Sequence, residues 1–149
     1  MKSLYEKESL QEIKNRIEKL TPETKQLWGK MNAAQMMEHC ARSLDFSTGK
    51  DKPPRMFLGY ILGPIFKAQY YNDKPWGKNS PTAPNYLVTD QQDFDKAKSR
   101  LLHLVKEFSE GGEAKCTTHP SPFFGSLTPA QHGMGQYKHI DHHLQQFGV

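Results

Sequence analysis

A chain of 149 residues, 36% hydrophobic and 24% charged, is long enough to bury a core of its own and reads as one domain over residues 1–149. Its net charge of +4 comes from Lys/Arg interleaved with Asp/Glu, with no basic stripe and no basic–aromatic alternation. No nucleic-acid partner is expected, and a weak attraction to anionic small molecules is allowed. The first residues hold no apolar stretch, no window approaches a membrane span, and Cys40 and Cys116 are far apart, so a soluble cytoplasmic protein with free thiols and no membrane association is expected.

Taken in order, Leu10, Ile13, Ile17 and Leu20 recur at three- and four-residue spacing and predict a first helix over residues 3–20, stopped by Thr21-Pro22. A second helix is expected from Asn32, an N-cap with Gln35 three positions on, to about Phe46, before Ser47-Thr48-Gly49. Its stripe is Ala33, Met36, Cys40 and Leu44. His39 borders that stripe, where a lone histidine is more often a satisfied core residue than a ligand. Glu38 is turned about 100° away and is expected to be solvated.

After the linker 50–54, residues 55–72 are apolar and read as helical with a break at Gly63-Pro64. Residues 73–89 hold three prolines with Trp76, Gly77 and Tyr86; they are either a surface crossover held down by Trp76 or a lid. Phe94, Ala97, Leu101, Leu104, Val105 and Phe108 predict a helix over 90–110, with His103 on the surface and Gly111-Gly112 as its stop. Cys116-Thr-Thr-His119 has the form of a metal half-site, but no second pair stands at zinc-finger spacing. It reads instead as an extended return segment, continued by Pro122-Phe-Phe-Gly125.

Thr128-Pro129-Ala130-Gln131 is an N-cap, a first-turn proline and the closing glutamine of a capping box, and opens a helix over 129–146. On it His132, Gln136, His139 and His143 share one strip, flanked by Tyr137, Ile140 and Leu144. Buried imidazoles need partners. His139 and His143 stand at i and i+4, with Cβ atoms roughly 5–6 Å apart, a spacing at which two imidazoles can hold one metal ion. The segment lacks the glutamate that follows the first histidine of zinc proteases, and Asp141 and His142 lie off the ligand face. Each is either part of a solvated face or an orienting partner for a ligand. Four long amphipathic helices without a strand pattern predict an all-α four-helix bundle, with a long crossover carrying the extra helical segment 55–72.

The stretches Trp28-Gly-Lys-Met-Asn-Ala-Ala-Gln-Met-Met-Glu-His39-Cys, His119-Pro with Phe-Phe-Gly-Ser-Leu-Thr-Pro-Ala-Gln, and Gly-Gln-Tyr-Lys-His139-Ile-Asp-His-His143-Leu-Gln-Gln-Phe-Gly together resemble the DUF1569 branch of the DinB/YfiT-like superfamily. The resemblance spans nearly the whole chain and is weakest in the middle. It implies a bundle of the kind just described, with His39, His139 and His143 as ligands of a divalent metal ion, zinc or nickel foremost and iron or manganese next. It also implies hydrolase or thiol-transferase chemistry on a small-molecule substrate, with a metal-activated water or low-molecular-weight thiol. His132 departs from the branch, where a tryptophan is expected. The apolar crossover, with the superfamily's habit, implies a homodimer. The alternatives are a metal- or ligand-binding bundle without turnover, or an interaction protein that has lost its metal.

Overall fold

The computed structural model describes residues 1–80 and 82–149. Among these the chain forms five α-helices and no strand: α1 (Lys7–Glu18), α2 (Ala33–Ser47), α3 (Phe57–Tyr70), α4 (Phe94–Gly111) and α5 (Pro129–Gln146). Both expected capping boxes are made in full. Gln35 N donates to Asn32 Oδ1 at 2.9 Å and Asn32 N to Gln35 Oε1 at 3.0 Å. At α5, Gln131 N donates to Thr128 Oγ1 at 3.2 Å and Thr128 N to Gln131 Oε1 at 3.0 Å, while Pro129 takes a position whose N–H has no helical partner to lose.

Three helix starts differ from expectation, α3 beginning at Phe57 rather than residue 55. α1 begins at Lys7 rather than residue 3, because Leu4 is committed elsewhere. Its N–H donates to Gly133 O at 3.0 Å and its side chain is wholly buried. α4 begins at Phe94 rather than residue 90, where Asp93 caps it by accepting from Lys96 N at 2.9 Å.

The expected break at Gly63-Pro64 is absent, and α3 runs through it as one helix. Pro64 removes a single N–H, and the Tyr60 carbonyl it would have served belongs to a residue open to water. Gly59 and Gly63 face the backbone of Pro122–Phe124; a Cβ on Gly59 would lie 2.5 Å from Pro122 O. The glycines are therefore there for close approach rather than for bending.

α2 and α4 share the largest interface, α1 packs on α4 and α5, α2 packs also on α5, and α3 packs on α5. The core between them is built from Ile13 and Ile17 of α1, Met36, Met37, Cys40 and Leu44 of α2, Leu101, Leu104 and Val105 of α4, and Ile140 and Leu144 of α5. No helix is long and apolar enough to cross a membrane among the described residues.

The connection from α3 to α4 contains one 3-10 turn, Pro84–Tyr86; its Pro81 lies outside the described residues. It is pinned at several points. Trp76 Nε1 donates to Gln69 O at 2.8 Å, Arg42 Nη1 to Leu87 O at 3.0 Å and Gln35 Nε2 to Asp90 O at 3.2 Å. The connection thereby lies against α2 beside His39.

Candidate metal centre

His39, midway along α2, and His139 and His143, one turn apart on α5, project into the gap between the two helices. Their ring centroids are 4.7–4.9 Å from one another. One nitrogen from each falls in a group whose members all lie within 4.8 Å, so the three could hold a metal ion. His39 Nε2 and His139 Nε2 are 2.8 Å apart, a few tenths of an ångström closer than two imidazole ligands of one ion normally stand. His39 is therefore brought to His139 and His143 rather than left as an isolated core histidine.

The outer nitrogens give the orientation. His39 Nδ1–H donates to Tyr86 O at 2.8 Å and His143 Nδ1–H to Gln146 Oε1 at 2.8 Å. Gln146 is itself held, because its Nε2 donates to Trp28 O at 2.7 Å. Fixing the proton on Nδ1 leaves Nε2 with a bare lone pair, the tautomer a ligand requires. His139 Nδ1 is buried with no partner among the described residues, so their hydrogen bonds do not satisfy the site.

Burial keeps all three rings neutral. It lowers the pKa of His39, against a rise from the Tyr86 carbonyl. His139 is driven well below the usual histidine value by burial and then by His39 and His143. His143 falls to about 3, by burial first and then by His39. Neutral rings do not repel an approaching cation as imidazolium would. The donor set, three neutral borderline nitrogens with two orienting acceptors behind them, fits a first-row divalent ion.

Among the described residues no carboxylate joins the histidines. Asp141 turns to α1, where Arg16 Nη1 donates to it at 2.6 Å; it stays partly exposed to solvent and makes no bond to a histidine of the cluster. Glu38, expected in solvent, is partly buried and bridges Arg42 (3.1 Å) and Arg100 (3.4 Å). His142 stands at the rim between Trp28 (5.9 Å) and Trp76 (5.7 Å), and Trp76 also lies 5.7 Å from His139. Lys78 Nζ sits 4.6 Å above the Trp28 ring, so the rim is aromatic and cationic.

Lower on the α5 strip, His132 Nδ1 meets Ser47 Oγ at 3.1 Å, and Gln136 Nε2 donates to the Ser43 and Ser47 hydroxyls, each at 2.8 Å. This is a hydrogen-bonded wall beside the cluster and shares no ligand with it. His119 Nε2 donates to Pro53 O at 3.0 Å, and with Cys116 it lines an open cleft of about 520 Å³ apart from the three histidines. Both thiols are free, and His103 is exposed.

The orienting roles of Tyr86 and Gln146 were not found from sequence. Gln146, three residues after His143 on the same helix, carried a usable signal. The Tyr86 contribution is a backbone carbonyl 47 residues from His39, and no side-chain pattern announces it.

A family model described as "Protein of unknown function (DUF1569)" matches residues 2–148. No curated protein matches the chain, and no solved structure matches it.

Proposed function

The chain belongs to the DUF1569 family, and we propose that it is a metal-dependent enzyme of the DinB/YfiT type. In this reading α1, α2, α4 and α5 are a four-helix bundle, and α3 with the 71–93 connection is its long crossover. His39, His139 and His143 would hold one divalent ion, zinc or nickel first and iron or manganese next. A bound ion of this class supplies Lewis acidity, lowering the pKa of a water or thiol and polarising a carbonyl. The proposed chemistry is hydrolysis or thiol transfer on a small molecule, with a low-molecular-weight thiol as the candidate co-substrate.

The observation that carries the reading is the pairing of three converging neutral imidazoles with outward bonds from His39 to Tyr86 O and from His143 to Gln146 Oε1. Three protein ligands leave coordination positions open, the mark of catalytic rather than structural sites. The Tyr86 carbonyl and Gln146 would hold two rings in the ligand orientation. Trp76 and His142 would limit water at the rim, and Lys78 would favour an anionic reactant such as a thiolate or carboxylate. With Asp141 and Glu38 paired to arginines, no carboxylate of this chain would take a proton at the centre.

A second reading, a metal-binding protein without turnover, is favoured by the burial of the ligands, His139 and His143 being 7% and 9% exposed. Elemental analysis of protein purified without a His tag or chelator, beside His39→Ala, tests both. About one ion per wild-type chain, lost in the variant, is expected. If neither protein holds metal after incubation with divalent ions, both readings fall. Metal-loaded protein inert to a panel of thiols and electrophiles would leave the second.

A further inference from the structure

His39 and His143 each have an acceptor behind them, Tyr86 O and Gln146 Oε1. His139 does not: its Nδ1 is buried and unpaired among the described residues. One turn earlier on α5, Gln136 is wholly buried and its Oε1 is likewise unpaired. Side chains three apart on a helix are neighbours on its surface, and buried polar groups call for partners.

The Gln136 amide cannot be turned over to change this. Its Nε2 lies 3.1 Å from Ser43 O, and a carbonyl only accepts, so the nitrogen must stand there. The Ser43 and Ser47 hydroxyls, each 2.8 Å from Nε2, anchor it further, and Ser47 is fixed in turn by His132 Nδ1 at 3.1 Å. The amide is thus clamped by its nitrogen, with Oε1 held away from the two serines.

We infer that Gln136 is the positioning residue of His139, acting through one buried water held between Gln136 Oε1 and His139 Nδ1. The use of that ring as a ligand rests on the proposed function; the water does not. A buried water typically makes about three hydrogen bonds. Tyr70 offers the third: its buried hydroxyl accepts from Gln136 Nε2 at 3.4 Å and has no acceptor of its own among the described residues.

A water suits this place because His139 needs two different things behind it. His39 carries its proton on Nδ1, so its Nε2 is bare. The 2.8 Å contact between His39 Nε2 and His139 Nε2 is then a hydrogen bond donated by His139, and His139 Nδ1 is an acceptor. With an ion between the rings, His139 Nε2 must be bare and Nδ1 becomes a donor. The amide oxygen alone serves only the second case. A water serves both, giving one hydrogen to Gln136 Oε1 throughout and turning either its other hydrogen or a lone pair to Nδ1. The Nε2 proton goes to solvent as the ion enters and Nδ1 takes one from solvent, so the ring stays neutral.

The test is proton–nitrogen NMR of the full chain with isotope-labelled histidine, for wild type and Gln136→Met, before and after zinc is added. Metal-free wild type is expected to carry the His139 proton on Nε2, with its Cε1–H in cross-relaxation with a long-lived water. Zinc should move the proton to Nδ1 and leave the water in place. Gln136→Met should lose the water signal and, in competition with a chromophoric chelator, bind zinc about 10–100-fold more weakly. A packing role alone would leave the tautomer and the water signal unmoved. The inference is overturned by wild type with no long-lived water at His139, or with the proton on Nδ1 before zinc. It is equally overturned by a methionine variant that keeps the water, or whose zinc affinity stays within about threefold. If that variant does not fold, the wild-type spectra decide alone. If wild type takes up no zinc, the proposed function falls, and the metal-free spectra still decide for or against the water behind His139.

Discussion

Replacing Gln146 separates a ligand-orienting role from a packing role. The side chain is 5% exposed and makes two bonds, accepting from His143 Nδ1–H at 2.8 Å and donating to Trp28 O at 2.7 Å. Gln146→Leu keeps about the volume and leaves the buried His143 Nδ1–H and the half-buried Trp28 carbonyl unpaired; at about 1–3 kcal/mol for a fully buried group and less for a half-buried one, a stability loss of about 1–4 kcal/mol is expected. Loss of a partner behind a ligand typically weakens metal affinity about 10–100-fold, equivalent to about 1.4–2.8 kcal/mol. Gln146→Glu retains the acceptor for His143, and a carboxylate there makes the imidazole a better donor. It also sets a negative charge against the Trp28 carbonyl. The glutamate variant should therefore be destabilised, yet bind zinc or nickel as tightly as wild type or more tightly. Competition against a chromophoric chelator gives the affinity, and urea unfolding of the metal-free protein gives the stability. If Gln146→Leu binds within threefold of wild type, or if both variants weaken by the same factor, Gln146 is only a packing residue and the orientation argument fails.

Two further outcomes follow from the wall of the site. Gly135→Ala would gain about 1 kcal/mol of helix propensity, but the new Cβ overlaps three ring atoms of Tyr70, whose residue is buried. Overpacking of that kind costs about 1–3 kcal/mol, at times more. A net fall in Tm is expected by calorimetry, and a rise would show that α3 yields freely. His132 has its pKa lowered by burial to about 4. Above pH ~6.5 it is neutral folded and unfolded, so its contribution there is constant. As pH falls through 6.5 the unfolded chain binds a proton that the folded chain refuses until about pH 4. Stability is thus lost across that window, by about 3 kcal/mol in all. The difference in unfolding free energy between wild type and His132→Leu should shrink or reverse by that amount between pH 7 and 4, and a constant difference would refute it.

The helices that carry the candidate site were legible because their signals are local. Asn32/Gln35 and Thr128/Gln131 are capping boxes that close within one turn, and the α5 strip follows from helical periodicity alone. What could not be read depended on contacts distant in sequence. Leu4 leaves helical geometry to bond Gly133, and the glycines of α3 serve close approach to the Pro122–Phe124 backbone rather than a break. Asp141 and Glu38 were misjudged because an arginine on another helix meets each, Arg16 of α1 for Asp141 and Arg100 of α4 for Glu38, whereas the second partner of Glu38, Arg42, stands one turn on in the same helix and was open to reading. His39 illustrates both sides. Its position beside the α2 stripe was plain, but its meeting with His139 spans 100 residues, and only the resemblance to a family pointed to it.

That same separation has a consequence for how the protein matures. Local helix formation is fast, whereas a contact between residues 100 apart in sequence waits for loop closure and for most of the chain to be made. During synthesis His39 emerges long before either α5 histidine, so the three-nitrogen cluster cannot exist on a ribosome-bound fragment that ends before α5. Any ion must enter after α5 has docked on α2. Acquisition of metal would therefore report completed folding, and a slow-docking variant would be found metal-poor before it was found unfolded.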